Sequence, residues 1–341
     1  MIGGRVVGAS VLYHLSKFGW TDAALVERTV LTAGSSWHAA GGFHALNANP
    51  NMALLQAYTI DLLKEVEAES GQPIGMHMTG RVHVAFAPER WEWLQASCRH
   101  FQAIGIDDVR LVAPEEIKAR RRIISVDGVL GGMWADREGY VDTTGTVWAY
   151  AGASERRGAT VIKHNRVAGA EVAPGRLLGL ITEADVINAE HVVNAAGLWA
   201  KQVGRMVGLD LPFSPLEHHY LLTETIPEIA SLDTELPMVV DFEGFTYMRQ
   251  DQKEMLIGIY ETRPQHWSMD AAPRDCGVEL LPEDIDRIAE ELVHRRYPVL
   301  QHDAVAWDRR VRTRSASTSS RIRGDRLHHA EWRLRRRHDV G

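Results

Sequence analysis

The chain has 341 residues, 45% hydrophobic and 24% charged, the size and composition of one large α/β unit or two interleaved globular domains. No run of about 18 apolar residues occurs and no basic-then-apolar leader opens the chain, so neither a membrane span nor a secretory signal is expected. Its two cysteines, Cys98 and Cys276, lie far apart and outside any CxxC spacing; this excludes a disulfide framework and a zinc–thiolate site, and makes a reducing cytoplasm the expectation.

The chain opens Met1-Ile2-Gly3-Gly4-Arg5-Val6-Val7-Gly8, followed by Val11, Leu12, Leu15 and Phe18 at helical spacing and by Gly19. Ala23–Val26 reads as a buried strand ending at Glu27, so the start is a strand-turn-helix-strand unit whose first strand is reduced to Met1 and Ile2. Residues 32–42 are too rich in glycine and small side chains for a regular element and predict a loop. Helices are predicted over 51–70, from Pro88 to Phe101, from Pro114, over 143–157 and from Pro282 to about Arg296. Strands are predicted over 80–87, 159–162, 166–171, 177–182, 191–195, 220–223, 238–241, 246–249 and 255–259. The pattern is an α/β dinucleotide unit (1–80 and 143–213) interleaved with a β-rich unit (81–142 and 214–300).

A dinucleotide fingerprint needs Gly-x-Gly-x-x-Gly in the first strand-helix turn and an acid about 20 residues on. Gly3 and Gly8 hold the first and third glycine positions, and Glu27 follows the second strand in register to accept ribose hydroxyls. The helix N-terminus offers free N–H groups and a partial positive charge to a pyrophosphate. The second glycine position is Arg5, whose side chain obstructs the close approach that the position normally allows.

Ser35-Ser36-Trp37-His38-Ala39-Ala40-Gly41-Gly42 is the most informative segment. With Gly139-Tyr140-Val141-Asp142, Asn194-Ala195-Ala196-Gly197-Leu198-Trp199, Glu217-His218-His219-Tyr220, Asp241-Phe242-Glu243-Gly244 and Tyr247-Met248-Arg249, it resembles the dimethylglycine and sarcosine dehydrogenase family. The similarity is collinear over roughly residues 1–300. It implies a Rossmann-like FAD domain of the D-amino-acid-oxidase-like superfamily, with FAD bound covalently through His38. Gly3, Gly8, Glu27, Arg28, Ser35, Ser36, Gly41, Val167, Ala196, Gly197 and Trp199 would line the cofactor. His218 and Tyr247 would face a small N-methylated amine, where a neutral histidine or tyrosine keeps the amine unprotonated and its lone pair available to assist hydride loss. His219 falls on the other face of its strand. Arg249 has two readings, a partner for a substrate carboxylate or a surface ion pair.

From Arg309 onward eleven arginines and three acids give the tail +8, leaving about −15 on the body. The acidic body argues against a nucleic-acid partner. The tail lacks apolar periodicity and predicts disorder over 301–341, with the composition of an out-of-frame translation; a basic tail for nucleic acid or an anionic surface is the alternative. Larger members of the resembling family carry a folate-binding region that this length cannot hold. Two functions therefore stand side by side: an FAD-dependent amine oxidoreductase, and an inactive remnant of one, shortened at both ends.

Overall fold

The computed structural model describes residues 1–120, 123–223 and 225–282, together with the backbone of a strand at Arg312–Ser319. Met1–Gly3 run extended between two neighbouring segments. The Ile2 and Gly3 N–H groups donate to Val193 and Val26 carbonyls, and the Ala195 and Val26 N–H groups donate back to Ile2 and Met1, each at 2.9 Å. The short first strand is thus paired on both sides. By contrast, the buried strand predicted at 191–195 reduces to this pairing around Asn194, with His191, Val193 and Asn194 exposed. Among the described residues its bridge is to Ile2, a single-residue contact rather than a ladder.

The elements follow in chain order. Helix α1 (Val6–Lys17) leads to strand β1 (Ala24–Val26). The predicted loop contains a four-residue helix, α2 (Ser35–His38), and is followed by β2 (Gly42–Phe43). Helix α3 (Pro50–Ser70) begins at Asn49, whose side chain accepts from the Asn51 and Met52 N–H groups, and ends at Gly71 with φ of 67°. Next come β3 (Arg81–Ala85), α4 (Pro88–Ala103), β4 (Val109–Val112), α5 (Pro114–Arg120), β5 (Gly131–Ala135) and β6 (Gly139–Tyr140). Helix α6 (Thr143–Arg156) is capped by Asp142, which accepts from the Thr144 and Gly145 N–H groups at 2.9 and 3.0 Å. The chain continues through β7 (Thr160–Ile162), β8 (Val167–Ala173), β9 (Arg176–Thr182), β10 (Val186–Asn188), α7 (Ala200–Arg205), β11 (Pro215–Leu222), α8 (Pro227–Ala230), β12 (Met238–Asp241), β13 (Thr246–Asp251) and β14 (Glu254–Ile259). The helix predicted from Pro282 lies outside the described residues.

Two layers position the site. In the first, β1 and β7 pair in parallel and α1, α3 and α6 pack together through Ala9, Leu12, Tyr13, Leu62, Val66, Val147 and Tyr150. An antiparallel sheet of β8, β9 and β10 lies beside it. The second layer is an eight-stranded sheet in the order β15-β11-β14-β13-β12-β3-β5-β4. Its last member, β15 (Arg312–Ser319), falls in the tail expected to be disordered, and pairs antiparallel with β11 from Pro215↔Ser319 to Leu222↔Arg312. Strand addition uses backbone N–H and C=O groups, so an open edge on β11 can accept a segment without apolar periodicity. The rest of the tail lies outside the described residues.

Register decides what the large sheet presents. Val82, Val239, Met248, Ile257 and Leu221 are paired across successive strands and build the apolar core on one face. Side chains alternate along a strand, so Arg81, His83, Val240, Tyr247, Arg249, Tyr220 and His218 share the other face. Among the described residues no helix is long and apolar enough to cross a membrane. Asp142→Ala removes the acceptor for two helix N–H groups. It is expected to lower stability by about 1 kcal/mol in denaturant unfolding, whereas an unchanged midpoint would show that the cap contributes nothing.

Candidate active site

The turn after Ile2 is built by close approach. A Cβ on Gly3, which sits at φ of 112°, would run into the Ala195 carbonyl, and one on Gly8 would run into the Gly3 carbonyl. Both glycines are therefore required for α1 to start where it does, with its free N–H groups at the mouth of a cleft. One of these, Val6 N–H, donates to Ser36 Oγ at 3.1 Å, and Ser35 stands beside it in the first turn of α2. Gly41 backs onto the Val141 carbonyl, so this loop is also held by backbone contact.

Beside the turn lies a cavity of about 130 Å3, lined by Glu27, Arg28, Val167, Ala196 and Trp199 among others. Glu27 is buried, and its carboxylate accepts from the Gly4 N–H at 2.8 Å and the Thr29 N–H at 2.9 Å. The Arg28 guanidinium stacks 3.8 Å from the Trp199 ring centre and donates to the Arg274 and Cys276 carbonyls. Trp199 Nε1 donates to the Pro273 carbonyl at 2.9 Å. The segment 272–279 thus crosses the cleft and is held by backbone carbonyls.

Arg5 fills the notch between two small-residue turns. Its side chain is buried, Nε donates to the Ala33 carbonyl, and the guanidinium lies against Gly34, Gly197 and the Trp199 ring, 4.6 Å from the ring centre. Burial pulls its pKa down to about 10, and Nη1 has no hydrogen-bond partner. The obstruction read from the sequence is therefore physical: the guanidinium occupies the gap that a glycine would leave open at the helix start.

His38 is buried at the end of α2. Nδ1 lies 2.7 Å from the Gly34 carbonyl and Nε2 2.9 Å from the Glu279 carbonyl. A neutral imidazole carries one N–H, so only one of these contacts is a hydrogen bond in that form. A second cavity of about 360 Å3 joins Trp37 and Ala39, on either side of His38, to Tyr140, Tyr220 and Arg249 of the large sheet. Tyr220 and Tyr247 both pair with Gly258, one from each side, and the Tyr247 ring lies over that glycine, where a Cβ would collide with it. Burial raises the Tyr247 hydroxyl well above the usual phenol range, with Tyr260 and Tyr220 adding to the shift. His218 is two residues along β11 from Tyr220 and shares its face. His219 is buried on the core face, with Nδ1 3.0 Å from Glu261 Oε1.

Arg249 lines this cavity and is held mainly by backbone carbonyls. Nε donates to the Ala40 carbonyl at 2.8 Å, Nη1 donates to the Gln250 carbonyl, and the guanidinium lies 4.4 Å from the centre of the Tyr140 ring. Its 3.5 Å contact with Asp251 is secondary. The sequence reading missed Tyr140 as a lining residue and the basic pair Arg81 and His83, although alternating basic residues in a buried strand are a visible signal.

These features match a family of known proteins. The FAD dependent oxidoreductase family, DAO, matches residues 2–330. The chain belongs to this family. The match reaches well into the arginine-rich tail, past the limit near residue 300 inferred from motifs alone. Mitochondrial dimethylglycine dehydrogenase of Rattus norvegicus is 33% identical over 308 residues, 88% of this chain and 36% of that protein. Mitochondrial sarcosine dehydrogenase of Homo sapiens is 32% identical over 273 residues, 78% of this chain and 29% of that protein. The chain spans about a third of the length of these curated relatives. The L-proline dehydrogenase structure from P. horikoshii has the same fold, with a TM-score of 0.79 at 20% identity, covering 95% of this chain and 82% of that one.

The residues present fit FAD with one exception. The Gly3–Gly8 turn, closed by backbone contact, and the cavity at Glu27, Val167 and Trp199 suit a dinucleotide with an anionic middle. The exception is the bulk of Arg5. Arg5→Gly is expected to tighten FAD binding at least tenfold, about 1.4 kcal/mol, in a flavin-fluorescence titration. Equal or weaker binding would show that the guanidinium is accommodated as a phosphate partner.

Proposed function

We propose that the chain is the oxidising unit of an FAD-dependent oxidoreductase for N-methylated amino acids. Bound FAD would supply the two-electron acceptor for hydride loss from an N-methyl carbon, and hydrolysis of the resulting iminium would give formaldehyde and the demethylated amine. The observation that best supports this is the cavity shared by the His38 loop and the Tyr140–Tyr220–Arg249 face of the sheet.

Each residue is assigned a role that its surroundings allow. Tyr247, on the same sheet face as Tyr220 and Arg249, orients the amine by contact, its hydroxyl kept neutral by burial. His218 accepts the amine proton, so that the nitrogen lone pair is free. Arg249 braces Tyr140 and the Ala40 carbonyl, fixing the wall opposite. Glu27 takes ribose hydroxyls, Trp199 and Val167 cover the adenine end, and Ser36 and the start of α1 face the diphosphate. His38, buried between the Gly34 and Glu279 carbonyls, would be the residue that holds the flavin covalently.

The purified protein should be yellow and release formaldehyde from dimethylglycine or sarcosine. Tyr247→Phe and His218→Ala should each lower turnover at least tenfold while the flavin stays bound. Acid precipitation should leave the colour in the pellet, and His38→Ala should release it to the supernatant. Colour that stays in solution from the wild type would overturn the covalent assignment. A second reading, an inactive relative, is favoured by Arg5 in the diphosphate notch and by the 272–279 segment across the cleft. A colourless, non-reconstitutable protein would establish it.

A further inference from the structure

Residues 270–279 cross the cofactor cleft from the side of Trp199 to that of His38 without belonging to a helix or a strand. No backbone–backbone hydrogen bond joins them to the other described residues. Side chains hold them instead, and each anchor is a carbonyl of the segment. Arg205 Nη1 donates to the Asp270 carbonyl at 3.2 Å, Gln202 Nε2 to the Ala272 carbonyl at 2.9 Å and Trp199 Nε1 to the Pro273 carbonyl at 2.9 Å. Arg28 donates to the Arg274 and Cys276 carbonyls, and the Glu279 carbonyl stands 2.9 Å from His38 Nε2. Gly277 is buried beside Ala33, whose own carbonyl accepts from Arg5.

The groups that hold this segment are the groups of the cofactor cleft. Arg28, Trp199 and His38 are expected to meet FAD, and Arg28 and Trp199 line the cavity beside the Gly3 turn together with Gln202 and Arg274. A buried donor without a partner is costly, so these N–H groups need acceptor oxygens from some source. The carbonyls of 270–279 are one source, and the hydroxyl and diphosphate oxygens of FAD are another. Charge follows the same pattern. Burial lowers the Arg28 pKa, and Glu27, Glu279 and Asp275 pull it back up. Two of these three carboxylates belong to the crossing segment, which therefore offers Arg28 what an anionic cofactor would offer.

Such a segment can move. Exchanging one acceptor for another costs little net free energy, because each hydrogen bond is replaced by one of its kind. A stretch tied down by side chains, with no ladder to unzip, opens at the low end of the local-stability range.

We propose that residues 270–279 are a strap that closes the cofactor cleft, and that FAD enters only after the strap has lifted. The proposal rests on FAD binding by the family to which the chain belongs, and not on the amine proposed as substrate.

A cross-link tests it. A Cβ on Gly277 would lie 3.8 Å from Ala33 Cβ, close to the mean Cβ separation of a disulfide. Ala33→Cys with Gly277→Cys, in a Cys276→Ser background that removes the adjacent thiol, should oxidise to a strap locked shut. Protein made without flavin, in a riboflavin-starved host, is mixed with FAD, and the quenching of flavin fluorescence is followed. The oxidised protein should take up FAD at least tenfold more slowly than the same protein reduced with dithiothreitol. Equal rates, or a pair of thiols that does not form the disulfide, would overturn the proposal. Arg205→Ala with Gln202→Ala frees the strap at Asp270 and Ala272, and should speed uptake at least fivefold over wild type; an unchanged or slower rate would also overturn it. If the wild type takes up no FAD, the loosened variant must, and uptake by neither sinks the strap. Loading that follows this pattern in a protein that oxidises no amine would keep the strap and remove the proposed function.

Discussion

The packing of Gly8 against the Gly3 carbonyl is the contact on which the rest of the cleft depends. It lets α1 start directly behind Ile2, whose N–H and C=O groups are already committed to Val193 and Ala195. The helix start, the Glu27 carboxylate and the 195–199 turn then converge within one small volume. Adding a single methyl group at either glycine would push α1 away from the 193–195 segment and open that convergence. The cleft is backbone-built, and its chemistry comes from the side chains around the rim.

Arg5 shows how far such a cleft tolerates change. A guanidinium in a gap shaped for backbone carries a desolvation cost, visible in its lowered pKa, and recovers little of it through the Ala33 carbonyl and the Trp199 ring. Arg28 presses on the same indole from its other contacts. The large sheet has a different logic. Its two faces are segregated by register alone, with apolar residues on one side and Arg81, His83, Tyr220, Tyr247 and Arg249 on the other. A one-residue slip of β13 would turn Tyr247 into the apolar core and carry Met248 to the polar face.

Much of this was legible in the sequence because it depends on local chemistry. Asn49, Pro50 and Gly71 delimit α3 by capping, and Gly3, Gly8 and Glu27 mark a dinucleotide turn by spacing. The Trp37-His38 loop and the His218 and Tyr247 strands were found by resemblance. What escaped depends on partners distant in the chain. The segment 191–195 reads as a strand because it is apolar, yet among the described residues its bridge is to Ile2 alone. Arg312–Ser319 reads as disordered because it lacks apolar periodicity, yet β11 offers it an edge. Arg81 and His83 share the Tyr247 face only because β3 lies beside β12, a pairing across more than 150 residues that no local pattern announces.

The proposed function requires that a flavin held at the Gly3–Gly8 turn meet an N-methyl amine beside the His38 loop and the large sheet. The most direct measurement is the visible spectrum of the purified protein during anaerobic addition of dimethylglycine or sarcosine. The account predicts an oxidised flavin band that bleaches on mixing, with formaldehyde formed in equal amount. A flavin band that persists with dimethylglycine and sarcosine alike would contradict it.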